Sequence, residues 1–203
     1  MNISKKYSWH QGNNRHNCPL LPNNIRGLII GKSNSGKTTV LMNLILQKGW
    51  MDFDHLYIYG KSLHQPEYQL LKKGFDAGLS KEQISNIFYS QDVLKKANMS
   101  AFEAMDKYSG VRKYDIKAEF FDDCSSIPDP ASLNKNAKNT LLMDDCYTGP
   151  QSKAAAFYSR GRHSGVDKVT GGTGDAGSQL RFCQPGRPSY PFFYFHVLSP
   201  SLI

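Results

Sequence analysis

Cysteines are few in this 203-residue chain, and none of them is paired in sequence. Cys18, Cys124, Cys146 and Cys183 are widely scattered, with no C-x-x-C pair and no Cys/His cluster at zinc-finger spacing. This pattern argues against a cysteine-based metal site. We therefore expect an intracellular protein with reduced thiols, and the sequence does not distinguish nucleus from cytoplasm.

Long apolar runs are also missing. No stretch approaches the roughly 20 residues of a membrane-spanning helix. The polar segment from Met1 to His16 lacks the core of a signal peptide. We expect a soluble protein with no membrane partner. The length suits one α/β domain with a sizeable core.

Acidic residues are outnumbered by basic ones. The chain has 17 Asp and Glu against 25 Lys and Arg, a formal net charge of +8. Such an excess suits a polyanionic partner such as nucleic acid. A bound nucleotide or a solvated basic face would also account for part of it.

Residues 31 to 38 match the phosphate-binding pattern G-x-x-x-x-G-K-[ST] in full. The apolar run Leu28-Ile29-Ile30 precedes the loop as a buried strand would, and apolar residues follow it at helical spacing as far as Lys48-Gly49. The predicted nucleotide-binding residues are Gly31, Lys32, Ser33, Asn34, Ser35, Gly36, Lys37, Thr38 and Thr39. The alternative, a Gly/Ser turn before a helix, explains the motif less completely.

The chemistry of this loop indicates ATP and Mg²⁺ as ligands. Glycines let the backbone wrap closely around a phosphate. Lys37 is expected to reach the β- and γ-phosphates as a catalytic cation, and Thr38 to offer its hydroxyl to magnesium.

The second motif is a short apolar run that ends in two acidic residues, Asn139-Thr140-Leu141-Leu142-Met143-Asp144-Asp145. We interpret it as a buried strand that carries Asp144 to the magnesium, through a coordinated water. Asp145 would lie where it could orient or deprotonate the attacking water. Because adjacent strand residues point to opposite faces, Asp145 requires a turn at the strand end. An ordinary strand end with solvated acids is the alternative.

Two arginines, Arg160 and Arg162, flank Gly161 in the segment Phe157 to His163. They could clamp phosphate of DNA or of ATP held by a neighbouring subunit. A solvated helix end carrying cations is the competing interpretation.

Other segments give a coarse secondary structure. His55–Tyr59 is predicted as a strand, Glu67–Lys73 as a short helix, and Ser80 with Gln83 as a capping box before another helix. Ile87-Phe88-Tyr89 is predicted as a strand. Residues 91 to 137 are predicted to hold one or two helices within a long surface excursion.

The ordered motifs GKSNSGKT, WMDFDHLYIYGKSLHQPEYQLLKKGF, DDCSSIPDPASLNKN, LLMDDC and FYSRGRH resemble those of the packaging ATPases of polintons and adintoviruses. These enzymes belong to the FtsK/HerA-type class that includes poxvirus-like packaging enzymes. The resemblance covers roughly residues 20 to 167. It implies a P-loop NTPase with a mainly parallel sheet flanked by helices. It also implies an ATP-driven motor that forms a homo-oligomeric ring and moves double-stranded DNA into a capsid, with a capsid or portal protein as partner.

The chain departs from the family pattern after Asp167. We expect an irregular lead-in at 1–24, a P-loop ATPase domain at 25–167 and a divergent Gly/Pro-rich tail at 168–203. Neither Gln179 nor Gln184 follows the apolar strand that a sensor glutamine requires. Residues 192 to 198 could form a strand, with flanking prolines that suit a sheet edge or an irregular segment. A frameshift, a splice variant or a degenerate gene copy is our hypothesis for the tail, and it would leave the sheet incomplete.

Two alternatives to a packaging motor remain at this point. A nucleoside or nucleotide kinase would share the phosphate-binding loop but would need an enclosed acceptor pocket. A non-hydrolysing nucleotide- or DNA-binding remnant of a packaging ATPase would keep the loop without turnover.

Overall fold

The computed structural model describes residues 21, 25–32, 34–108, 116–145, 156–157, 166–172 and 193–196. The strands are β1 (Arg26–Ile30), β2 (His55–Gly60), β3 (Lys117–Phe121), β4 (Asn139–Asp144), β5 (Asp167–Gly172) and β6 (Phe193–His196). The helices are α1 (Lys37–Leu46), α2 (Pro66–Asp76), α3 (Lys81–Tyr89), α4 (Gln91–Lys96) and α5 (Ala101–Tyr108), with short 3₁₀ turns at Cys124–Ser126 and Pro130–Ser132. The lead-in expected at 1–24 lies outside the described residues apart from Leu21.

Strands β1 to β5 form an all-parallel sheet, and β6 pairs parallel with β1 at one edge. The strand order is β3-β2-β4-β5-β1-β6. This arrangement confirms the predicted α/β fold with a parallel sheet flanked by helices. Because all strands run the same way, their carboxyl ends lie at one edge of the sheet, where α/β proteins bind their ligands.

The sheet is buried on both faces. Leu56 and Ile58 of β2 belong to one apolar cluster, with helices α1, α2 and α3, whereas Tyr57 and Tyr59 belong to a second cluster on the opposite face. In strand β4, Leu142 belongs to the first cluster and Leu141 and Met143 belong to the second. All six residues of β4 are buried. Strands buried on both faces appear in sequence as continuous apolar runs. This explains why β1 and β4 were recognisable from sequence.

The strand predicted at Ile87-Phe88-Tyr89 is wrong. These residues form the end of α3, which begins after the predicted capping box: Ser80 Oγ accepts from the Gln83 N–H, and the Gln83 side chain accepts from the Ser80 N–H. Ile84 and Ile87 are both buried, at helical spacing. A three-residue apolar run is too short to separate a strand from a helix by its periodicity.

One or two helices were predicted for the segment from 91 to 137, and the structure has two, α4 and α5. The segment also contains strand β3, which the sequence analysis missed. Among the strands that the structure describes, β3 pairs with β2 alone, at the sheet edge, and none of its five residues is fully buried. The sequence KAEFF mixes charges with apolar residues. An edge strand of this kind gives little hydrophobic signal.

The predicted boundary at 167/168 coincides with the start of β5. Lys168–Gly172 pair with β1, and residues 168 to 171 also pair with β4 on the other side. The first residues of the predicted tail therefore belong to the centre of the sheet. Phe193–His196 form the edge strand β6. Gln179 and Gln184 lie outside the described residues.

The absence of a side chain at Gly74 allows α2 and α3 to pack closely. A Cβ at this position would lie 2.7 Å from Ile84 Cγ1 and 3.3 Å from Met105 Cε.

Alanine normally stabilises a helix interior relative to glycine by roughly 0.5–1 kcal/mol, but overpacking costs roughly 1–3 kcal/mol. We expect Gly74→Ala to destabilise the chain by about 1 kcal/mol in urea denaturation. Asp76→Ala, at an exposed position of the same helix, is the control. A stabilised Gly74→Ala variant would contradict the described packing.

Candidate functional site

The loop between β1 and α1 is curled by two left-handed residues. Asn34 has a φ of 60° and Gly36 a φ of 88°. The Ser35 N–H donates to the Lys32 carbonyl at 3.2 Å. Successive N–H groups in such a turn converge on an anion-binding concavity. Ser33 lies outside the described residues.

Helix α1 begins at Lys37, directly after this turn. Its N-cap is Gly36, no side-chain hydrogen bond caps it among the described residues, and its first turn carries no acidic residue. The first N–H groups of a helix have no intrahelical partners and carry the positive end of its dipole. Thr39, in the same turn, is exposed. The helix start is therefore open to an anion.

Lys37 folds back over the loop. Its Nζ donates to the Lys32 carbonyl at 2.8 Å, and the residue is only 7% exposed. A buried ammonium is costly unless it is hydrogen-bonded. The contact holds the Lys37 charge against the curled backbone.

Asp144, the last residue of β4, lies beside the start of α1. Its Oδ2 accepts from Tyr68 Oη at 2.5 Å and from Thr38 Oγ1 at 3.4 Å. The register places Asp144 opposite Gly171 of β5. A Cβ at Gly171 would lie 2.7 Å from Asp144 Oδ1 and 3.0 Å from Leu41 Cδ1. Thr38, Tyr68 and Gly171 therefore enclose the carboxylate from three elements.

Burial dominates the electrostatics of Asp144, which is 3% exposed. Loss of solvation raises the pKa of its carboxyl, and the neighbouring Asp145 charge raises it further. Hydrogen bonds from Tyr68 and Thr38 and the charge of Lys37 oppose that rise without cancelling it. A raised carboxyl pKa of this origin is characteristic of functional sites.

Asp144 is the last residue in strand conformation, and the backbone turns at Asp145. Its φ is 49°, and its N–H donates to the Gly171 carbonyl at 3.3 Å. The turn that the sequence analysis required at the strand end is thus present. Left-handed backbone at a residue other than glycine is costly and is concentrated at functional sites.

No protein-family model, curated protein or solved structure matches this chain. Conclusions about function therefore depend on the site itself. Within the described part of the chain, no helix is long and apolar enough to cross a membrane.

Two buried polar atoms at the site lack hydrogen-bond partners among the described residues, Ser35 Oγ and Asp145 Oδ1. Buried polar groups are nearly always hydrogen-bonded, so both atoms are available to a polar partner. Ser35 lies in the curled loop, and Asp145 follows the carboxylate that contacts α1. Both positions suit a polar, phosphate-bearing ligand with its bound water.

The donor set fits Mg²⁺. Hydroxyl and carboxylate oxygens from Thr38 and Asp144 are hard ligands, and magnesium is usually held by one or two carboxylates together with waters and substrate phosphates. No group of three or more His, Cys, Asp or Glu side chains that could hold a metal occurs among the described residues. A cation would thus be shared with a bound phosphate.

The structure brings Lys37, Thr38, Asp144 and Asp145 together at one edge of the sheet, as the sequence analysis expected for a single site. Arg160 and Arg162 lie outside the described residues. Tyr68 and Gly171 are site residues that the sequence analysis missed. Tyr68 falls within the quoted segment from Trp50 to Phe75, but nothing in that segment assigns a role to the tyrosine. Only the tertiary fold connects Tyr68 and Gly171 with Asp144.

The raised pKa of Asp144 leads to a prediction about stability. The folded chain binds this proton more tightly than the unfolded chain, so the free energy of unfolding falls as pH rises from the ordinary aspartate range through the raised pKa. We expect Asp144→Asn to stabilise the ligand-free chain at neutral pH by on the order of 1 kcal/mol. In urea denaturation, the difference in free energy of unfolding between Asp144→Asn and the wild-type chain should become smaller as the pH is lowered. Asp122→Asn, an exposed control, should show no such gain; equal behaviour of the two variants would contradict the prediction.

Proposed function

We propose that the chain binds ATP with Mg²⁺ at this site and hydrolyses it. The observation that carries the proposal is the contact of Thr38, at the start of the helix after the phosphate-binding motif, with the buried Asp144 carboxylate, 106 residues further along the chain. A P-loop NTPase needs this pairing of a hydroxyl and a carboxylate beside one cation. The finer assignment of the α/β fold to the P-loop NTPases is part of the proposal.

The loop and α1 supply the phosphate-binding half of the site. Backbone N–H groups of the described loop residues and of the first turn of α1 would bind the phosphates, and the open helix start would add its dipole. Lys37 exchanges the Lys32 carbonyl for phosphate oxygens, because an anion is a stronger partner for an ammonium than a neutral carbonyl.

The end of β4 supplies the second half. Thr38 and Asp144 are the residues that would hold Mg²⁺, Asp144 through a water, and the cation would supply charge neutralisation at the phosphates. Asp145 orients and deprotonates the attacking water. Its Oδ1 is buried without a described partner, so an acceptor is available for that role.

The resemblance to packaging ATPases extends the proposal to double-stranded DNA as the translocated partner, with a homo-oligomeric ring and a capsid or portal protein. The net charge of +8 supports a polyanionic partner. In this account Arg160 and Arg162 contact DNA or complete a neighbouring subunit's site. DNA should stimulate turnover. Stimulation by a nucleoside instead would favour a kinase.

Lys37→Ala tests the phosphate-binding half. Removing the ammonium leaves phosphate charge uncompensated, so we expect ATP binding to weaken by at least tenfold, on the order of 1.4 kcal/mol, and hydrolysis to be lost. Fluorescence titration and phosphate release measure the two effects. Lys48→Ala removes an exposed lysine beyond the same helix and serves as the control. Unchanged turnover in Lys37→Ala would refute the site.

Asp145→Asn tests the division of roles between the two acids. The amide keeps the size of the side chain but is not a base, so we expect ATP binding within about twofold of wild type and turnover reduced by roughly 10²–10⁴-fold. Binding and single-turnover hydrolysis are measured on the same preparation. A loss of binding equal to the loss of turnover would show that Asp145 acts in binding instead.

A further inference from the structure

Tyr68 contacts the predicted metal-holding carboxylate from α2, which belongs neither to the loop between β1 and α1 nor to strand β4. It lies in the first turn of α2, after Pro66, and is 1% exposed. Its hydroxyl donates to Asp144 Oδ2 at 2.5 Å, although the two residues are 76 positions apart in the chain. The bond therefore depends on the packing of α2 against the sheet.

Asp144 Oδ2 is also the oxygen that Thr38 Oγ1 contacts, at 3.4 Å. The second oxygen, Oδ1, faces Gly171, where a side chain would come within 2.7 Å of it. One side of the carboxylate is thus limited by the backbone of β5, and the other is held by a hydroxyl from α2. Together these contacts restrict rotation of the Asp144 side chain.

We propose that Tyr68 is a positioning residue that orients Asp144 toward the Mg²⁺ shared with ATP. The inference rests on the proposed function. Groups that hydrogen-bond a metal-holding side chain fix its orientation, and their loss typically costs roughly 10- to 100-fold in metal affinity. The direct binding of phosphate by the loop does not involve Tyr68.

The test is the Mg²⁺ concentration that gives half-maximal binding of a fluorescent ATP analogue to the full chain. We expect Tyr68→Phe to raise this concentration by about tenfold or more. Affinity for the analogue without Mg²⁺ should remain at the wild-type value. This split separates positioning of Asp144 from a general weakening of the site, because a merely structural role would lower the thermal midpoint without changing the Mg²⁺ requirement.

Tyr57→Phe is the matched control. Tyr57 is another buried tyrosine, 5% exposed, and its hydroxyl contacts His55 Nδ1 at 3.4 Å instead of Asp144. It should leave the Mg²⁺ requirement unchanged. An unchanged requirement in a folded Tyr68→Phe chain would overturn the inference. A wild-type chain that binds the analogue in neither condition would overturn the proposed function itself.

If Tyr68→Phe does not fold, 3-fluorotyrosine at position 68 keeps the ring and the hydroxyl while changing the strength of the donor. We expect 3-fluorotyrosine at position 68 to change the Mg²⁺ concentration for half-maximal binding, and 3-fluorotyrosine at position 57 to leave it at the wild-type value. The same Mg²⁺ concentration for both substituted chains would overturn the inference.

Discussion

The burial of one carboxylate, that of Asp144, is the constraint on which the site depends. A charged group removed from water is tolerated only where neighbours supply hydrogen bonds or opposite charge. Three neighbours supply both: Tyr68, from α2, and Lys37 and Thr38, from the first turn of α1. Because the three neighbours do not fully offset burial, the site holds a carboxylate that a cation would stabilise further.

The strand order explains how this arrangement is built. Strand β5 stands between β4, which carries Asp144, and β1, which leads to the loop. Its Gly171 leaves the space that the carboxylate occupies, and its carbonyl accepts from the turned Asp145 backbone. Without β5 in the sheet, strand β4 and the loop between β1 and α1 would have no common framework. The Gly/Thr-rich start of the predicted tail is thus a structural part of the site.

The sequence predicted those elements whose pattern is local. Neighbouring residues specify the loop motif, the buried strands β1, β2 and β4, helix α2 and the capping box of α3. Strands β3 and β5 were missed because one is a half-exposed edge strand and the other contains few apolar residues. The prediction of a strand at Ile87–Tyr89 was wrong because three consecutive apolar residues fit the side-chain period of a helix as well as that of a strand. Tyr68 could not be predicted, since its hydroxyl reaches Asp144 only through packing of distant elements.

Calorimetric titration of the wild-type chain with ATP, compared with AMP and with ATP in excess chelator, tests the central claim most directly. A site built on the loop, Lys37 and Asp144 should bind one ATP per chain. It should bind AMP much more weakly because the β- and γ-phosphates are absent, and its affinity should fall when Mg²⁺ is removed. A folded chain that binds no ATP, or that binds ATP and AMP equally with no effect of Mg²⁺, would contradict the account.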